Sequence, residues 1–328
     1  MQFRTKIDRL SLPFQISHED ALLFCGSCFS EHIFNKFDHL KFSAKLNSHG
    51  ILYHPLSITK SLDDIVNGKI YQEDDLIFSN GLWQSFNHHG YFSNPDLTTC
   101  LDTINQSIQV FKSHLQGTNF IVCTLGTSLA FKLKSDSSFV ANCHKFPADN
   151  FNRVFIQSKT ISAAFNQSIQ DLKAINPGLK FLFAVSPVRH IRDGLIENQK
   201  SKASLLLSVH EIVKQNKNAF YFPSYEIMMD DLRDYRFYQR DLIHPNEQGI
   251  DYIWDIFQDA VFTNQTQALN KRIAKINAAL AHKPFFPKSE KHQIFLKQQL
   301  EKIELLEAEN QLLDFSIEKE NIKLIYQP

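Results

Sequence analysis

The sequence has little of several features that define common protein classes. It contains only 10 glycines and 5 cysteines among 328 residues, and no apolar run approaches the roughly 18 residues that a transmembrane helix needs. Its 35 basic and 35 acidic residues cancel, so no positive surplus is present to attract nucleic acid or an anionic membrane surface. We therefore expect neither nucleic acid nor a membrane as a partner.

The five cysteines are an odd and scattered set, which fits reduced thiols better than a disulfide framework. The first residues contain no apolar run of signal-peptide length. Both features predict a cytoplasmic protein. No Gly-x-Gly-x-x-Gly or phosphate-loop pattern occurs, so the sequence predicts no organic cofactor.

Short apolar runs alternate with amphipathic segments up to residue 262, which predicts a three-layer α/β/α sandwich around a mostly parallel sheet. Residues 131–134 and 139–141 indicate a hairpin, whereas residues 70–95 lack a clear period and predict a long functional loop. The predicted strands are 22–25, 41–44, 119–125, 179–185 and 219–222, and the predicted helices are 31–37, 58–66, 97–115, 159–175, 197–216 and 246–262.

The composition changes after residue 262, which predicts an α/β domain over residues 1–262 and a helical tail over residues 263–328. Apolar residues of the tail recur at heptad spacing, and this pattern has two interpretations. It fits a short coiled coil that forms a homodimer, and it fits a helix that packs on the domain. The heptad positions are Leu296, Ile303, Asn310 and Ile317 at a, with Leu306 and Leu313 at d.

Two short segments contain candidate catalytic residues. Residues 24–30 include Ser27 and Cys28 where a predicted strand gives way to a helix, and residues 240–245 place Asp241 three residues before His244. A small nucleophile with a distant Asp-x-x-His is the minimum equipment for nucleophilic acyl transfer. Because carboxyl ends of parallel strands share one edge of a sheet, these groups are expected to meet there. A tight turn with a helix cap is the structural alternative for residues 26–28.

Other kinds of chemistry compete with this interpretation. Cys25 and Cys28 have a redox Cys-x-x-Cys spacing, which provides an alternative function. Arg189 follows a predicted strand, where it would either clamp an anionic substrate group or pair with Asp193. No compact zinc spacing occurs, so no metal site is predicted. The histidines and the cysteine considered as ligands were His88, His89, His144, His190 and Cys143.

The segment Gly26-Ser27-Cys28-Phe29-Ser30 resembles the motif that gives the GSCFA family its name. That family belongs to the SGNH (GDSL-like) hydrolase superfamily, and the resemblance runs from Phe3 to about Phe257. It implies an SGNH-hydrolase-like, flavodoxin-like fold. Further matching segments are 47–53, 80–83, 85–89, 141–145, 186–190, 225–230 and 234–238.

The resemblance also implies roles for individual residues. Cys28 stands at the nucleophile position and Ser27 beside it, with His244 as the base and Asp241 orienting it. The backbone N–H of Gly50 and that of Cys28 would bind the oxyanion. The superfamily's Gly-x-Asn reads Gly126-Thr127-Ser128 here, so its Asn donor is missing, a loss that costs about 10²–10³ in rate. Thr127, Ser128 and Asn142 are the candidate replacements.

The expected function is therefore acyl-ester hydrolysis or acyl transfer on a small-molecule or carbohydrate ester. Three alternatives remain: a catalytically silent binding protein of the same fold, a redox protein, and a dimeric structural protein. The expected substrate pocket consists of His88, His89, Asn142, His144, Arg189 and His190.

Overall fold

A computed structural model describes residues 4–325 of the chain. The strands in this part are β1 (Ala21–Gly26), β2 (Ser43–Leu46), β3 (Ile77–Ser79), β4 (Leu82–Gln84), β5 (Phe120–Leu125), β6 (Leu129–Leu133), β7 (Phe139–Val140), β8 (Phe151–Phe155), β9 (Lys180–Val185) and β10 (Ala219–Phe222). The helices are α1 (Cys28–His39), α2 (Pro55–Asn67), α3 (Leu97–Leu115), α4 (Ser158–Ile175), α5 (Leu195–Gln215), the short α6 (Ser224–Glu226), α7 (Glu247–Val261), α8 (Asn264–Ala281), α9 (Glu290–Glu309) and α10 (Ser316–Ile325).

The centre of the fold is a five-stranded parallel sheet in the order β10-β9-β5-β1-β2. Alternate residues of β1 separate into two cores, because successive side chains of a strand point to opposite faces. Leu22 and Phe24 pack with α1 and α7, whereas Leu23 and Cys25 pack with α2, α4 and α5. The predicted three-layer sandwich is confirmed.

Two local predictions differ from the structure. The second strand begins at Ser43 and not at residue 41, because Lys41 turns at a φ of 63° and Phe42 packs into the aromatic core. The segment 70–95 is more regular than expected, since β3 and β4 form a hairpin around Asn80 and Gly81. Both turn residues have positive φ, 52° and 77°, as a tight hairpin requires.

The hairpin predicted over residues 131–141 exists as β6 and β7, and β8 pairs with the other edge of β6. This small antiparallel sheet lies outside the central sheet. It forms part of the wall of a cleft that is described below.

The tail packs on the α/β part of the chain. Leu296, Ile303 and Leu306 are buried in the same core as residues of α1 and α7. Helix α9 ends at Glu309 and Asn310 caps it, while Ile317 on α10 is 70% exposed. These three heptad positions therefore form an intramolecular seam, which favours the interpretation of a helix packed on the domain, and the homodimer stays a prediction. Among residues 4–325, no helix is both long and apolar enough to cross a membrane.

Candidate active site

Gly26 sets the position of the candidate nucleophile at the end of β1. Its φ is +130°, and a Cβ added there would lie 2.1 Å from the carbonyl oxygen of Thr124 on β5. Glycine alone allows this approach, which lets the Ser27 N–H donate to the same oxygen at 3.0 Å. Ser27 thereby becomes the N-cap of α1, and Cys28 becomes its first helical residue.

The two rival nucleophiles differ in accessibility. The side chain of Ser27 is 0% exposed, and its Oγ has no hydrogen-bond partner in the described part of the chain. Cys28 is half-buried, and the backbone N–H groups of Phe29 and Cys28 are directed at its sulfur. Burial nevertheless dominates and raises the pKa of the Cys28 thiol. Cys28 is thus the reachable group, and it needs a base to become a thiolate.

Asp241 and His244 form the pair that the Asp-x-x-His spacing predicts. The His244 Nδ1 donates to Asp241 Oδ2 at 2.7 Å, and Asp241 Oδ1 accepts the backbone N–H groups of Ile243 and His244 at 2.9 and 3.1 Å. The hydrogen bond from His244 is the main reason that the pKa of Asp241 falls to about 2. The carboxylate thus fixes the ring and leaves Nε2 as its free nitrogen.

The charge of His244 acts on His32 of α1 and on His190. His32 lies one turn after Cys28 on α1. Burial is the main reason that the pKa of His32 is lowered, and the charge of His244 also contributes. It also contributes to the lowered pKa of His190. Within residues 4–325, no hydrogen bond joins the His244 ring to Cys28 or Ser27. Such contacts often tighten only when substrate is bound.

Arg189 holds the loop that contains this pair. Its Nη2 donates to the carbonyl oxygen of Leu242, and its guanidinium lies 4.6 Å from the ring centre of Tyr238. Leu242 has a φ of 59°, which is strained for a branched residue. The predicted pairing with Asp193 is wrong, because Arg153 takes that carboxylate with an Nε–Oδ1 distance of 3.0 Å. Arg189 therefore supports the loop and does not line the predicted substrate pocket.

Lys202 is a site residue that the sequence analysis missed. It is 1% exposed on α5, and its Nζ donates to the carbonyl oxygens of Gly126 and Ser186 at 2.7 and 2.6 Å. These oxygens follow β5 and β9, and no carboxylate of the described residues pairs with the ammonium. Burial lowers the pKa of Lys202 to about 7, and a negative charge on Cys28 would raise it.

A polar stripe on α5 was the available signal for Lys202. Asn198, Ser201 and Lys202 stand three and four residues apart, which places them on one helical face. All three are buried, and each bonds a strand end or the loop that follows it. Polar residues at that spacing on a helix that covers a sheet indicate contacts with backbone groups beneath it.

Most of the predicted oxyanion donors are occupied. The Gly50 N–H donates to the Asn47 carbonyl oxygen at 2.9 Å, and the Thr127 N–H donates to that of Tyr53 at 2.9 Å. The Ser128 N–H donates to Ser201 Oγ at 2.7 Å. The Gly50 contact contradicts the oxyanion role predicted for its N–H, while replacement of the missing Asn donor by Thr127 or Ser128 stays a prediction. The N–H groups at the start of α1 are the donors that face the thiol.

A cleft of about 580 Å³ is lined by four residues of the expected substrate pocket, which are His89, Asn142, His144 and His190. Tyr53, Thr127 and His190 connect it to the strand ends. A Cβ at Gly126 would lie 3.3 Å from both Ser27 Cβ and His190 Nε2, so His190 of the cleft wall lies close to the N-cap of α1.

His88 was wrongly placed in this pocket. It is 0% exposed, and its ring stacks on that of His49 with centroids 4.2 Å apart. The Cys25–Cys28 redox interpretation is also wrong. Cys25 Sγ points into the core, 3.3 Å from Cys123 Sγ, because these two residues are paired across β1 and β5.

Comparisons with known proteins place this geometry in context. The model of the GSCFA family matches residues 21–257, and that of the GSCFA domain protein, C-terminal domain, matches residues 273–326. No curated protein matches the sequence significantly.

Two solved structures that resemble the chain are a proposed acylhydrolase from Bacteroides fragilis and a family 3 carbohydrate esterase from Clostridium thermocellum. The first has a TM-score of 0.39 and 10% identity, over 80% of this chain and 92% of that one. The second has a TM-score of 0.34 and 8% identity, over 80% of this chain and 99% of that one.

Proposed function

The chain belongs to the GSCFA family, and from this premise we propose that it is an esterase or acyltransferase that uses Cys28, His244 and Asp241. The 2.7 Å contact between Asp241 and the His244 ring is the observation on which the proposal depends. It fixes the ring of the proposed base, and such a base together with a half-buried thiol at a helix N-terminus serves nucleophilic acyl transfer.

In the proposed reaction, Cys28 Sγ attacks an ester carbonyl while His244 Nε2 takes the thiol proton. Because burial raises the pKa of Cys28, the thiol is protonated at rest and proton removal belongs to the attack step. The N–H groups of Cys28 and Phe29 bind the oxyanion of the tetrahedral intermediate. His244 then protonates the leaving alcohol, and water or a sugar hydroxyl resolves the thioester on Cys28.

Lys202 supports this centre from below the strand ends. Its positive charge favours the thiolate of Cys28 electrostatically, and its bonds to Gly126 and Ser186 hold the two strand ends together. We assign it a positioning and electrostatic role. It does not touch the substrate in this mechanism.

Adduct mapping tests the proposal directly. The protein is treated with chloroacetamide or, separately, with a fluorophosphonate, and the modified residue is located by peptide mass spectrometry. We expect rapid labelling at Cys28 that slows at least about 10-fold in His244→Ala, while the half-buried Cys143 is unaffected. Labelling of Cys28 at the same rate in the wild type and in His244→Ala would show that His244 is not the base.

A binding protein without turnover is the second candidate. The occupied N–H groups of Gly50, Thr127 and Ser128 favour it, because they leave the oxyanion with few donors. An acetyl adduct on Cys28 after exposure to 4-nitrophenyl acetate, with release of nitrophenolate, would exclude this candidate. Neither adduct nor release, in a folded protein, would establish it.

A further inference from the structure

The cleft near Cys28 is lined by more cationic than anionic side chains. Lys145, Arg153 and Arg192 line it, and Asp193 is the carboxylate that faces them. Asp193 is already paired with Arg153. Among residues 4–325, neither Arg192 nor Lys145 has a carboxylate partner. The cleft therefore contains two uncompensated positive charges.

The two arginines pack against an aromatic ring, and the backbone at Lys145 is strained. The guanidinium groups of Arg153 and Arg192 lie 4.4 and 5.6 Å from the ring centre of Phe131 on β6. Lys145 and its neighbour His144 have positive φ angles of 58° and 48°. Two consecutive left-handed residues other than glycine are costly, and such strain concentrates at ligand sites.

The field inside the cleft acts on its own side chains. The pKa of His190 is lowered to about 3 and that of His54 to about 4; burial is the main cause, and the charge of Arg153 contributes at both residues. At Cys143, burial raises the pKa while Arg192 and Arg153 oppose that rise. A concave surface with one sign of charge concentrates ligands of the opposite sign.

We propose that this cleft binds an anionic oxygen group, a carboxylate or a phosphate, on the ester that Cys28 attacks, with Arg192 and Lys145 as its ligands. The inference rests on the proposed function for its catalytic part. The substrate class is then an acylated acidic carbohydrate or a comparably sized acidic ester. A cleft of about 580 Å³ is large enough for one or two sugar rings.

The first experiment compares matched esters. Initial rates of acetate release are measured with a mono-acetylated methyl glucoside, its glucuronide counterpart and its 6-phosphate. We expect kcat/KM to be at least about 10-fold higher for one or both acidic esters, and the preference to shrink as salt screens the charges. The two acidic esters distinguish a carboxylate from a phosphate as the group recognised.

Two variants assign the preference to residues. Arg192→Gln and Lys145→Gln should each reduce the ratio of kcat/KM for the acidic ester to kcat/KM for the neutral ester. Lys173→Gln on α4 is the control, because Lys173 is exposed and lies outside the cleft. Equal kcat/KM values for neutral and acidic esters in the wild type would overturn the proposal.

A second readout does not require turnover. In Cys28→Ala, methyl glucuronide or methyl glucose 6-phosphate should slow the alkylation of Cys143 inside the cleft, whereas methyl glucoside should not. Protection by the acidic sugars, without any ester cleavage by the wild type, would retain the anion site and reject the catalytic function. Cleavage of all three esters at equal rates, without protection, would retain the catalytic function and reject the anion site.

Discussion

Replacing Lys202 with methionine should change how the stability of the protein depends on pH. The side chain is 1% exposed and has no carboxylate partner among the described residues, and burial lowers its pKa from 10.5 to about 7. In the unfolded chain the ordinary pKa returns. Between about pH 7 and 10.5 the unfolded state therefore binds more protons than the folded state, so stability rises with pH in that window.

The magnitude follows from the pKa difference. Each pKa unit corresponds to about 1.36 kcal/mol, so the full difference between 10.5 and about 7 costs about 5 kcal/mol when both states are protonated. This penalty applies in full below about pH 7 and disappears above about 10.5. Between about pH 7 and 9 it falls by about 2 kcal/mol. Methionine does not titrate, so Lys202→Met has no such dependence.

The assay is urea denaturation of both proteins at matched pH values. The difference in unfolding free energy, Lys202→Met minus wild type, should decrease by about 2 kcal/mol from about pH 7 to 9, and other titrating groups cancel in it. Lys200→Met is the matched control, because Lys200 is exposed on the same helix and pairs with Glu197. Its difference should be constant over this range.

A constant difference for Lys202→Met would refute the reasoning, since it would mean that Lys202 keeps its ordinary pKa in the folded protein.

Three further predictions concern the site and the packing. Asp241→Asn should lower the acyl-transfer rate by about 10³–10⁴ while the protein stays folded. In the wild type, the contact with His244 holds the pKa of Asp241 at about 2, so any loss of activity in mild acid should come from protonation of a different group. Gly26→Ala places a Cβ 2.1 Å from a backbone oxygen and should cost at least about 3 kcal/mol in urea denaturation, whereas Gly81→Ala, with φ +77° and nothing within 4 Å, should cost about 1. Phe315→Ala should cost about 3–5 kcal/mol because Phe315 is 0% exposed, and Ile317→Ala should change neither stability nor the mass measured by light scattering.

Much of the fold was predictable because a parallel sheet covered on both faces is built from continuous apolar runs. Phe120 to Leu125 is such a run, and it forms β5. The hairpin of β3 and β4 was missed although Asn80-Gly81 is a strong turn signal, since its strands are only three residues long. Short strands provide too few residues for a period to be recognised.

The heptad stripe of α9 shows a second limit. Spacing reveals that Leu296 and Ile303 share a face, but it does not reveal what that face contacts. The structure places both in the core beside α1 and α7. Lys202 was missed for a related reason, because a lysine in an amphipathic helix is expected in solvent.

The choice between Ser27 and Cys28 depends on where α1 begins. An N-cap side chain lies over the first turn and against the preceding strand, and Ser27 is buried there. The next residue is only half-buried, which makes Cys28 the more accessible of the two candidate nucleophiles. Since burial raises the pKa of that thiol, its reactivity should depend on removal of its proton by His244. A thiol that reacted equally well in His244→Ala would instead be activated by the helix N-terminus and Lys202 alone.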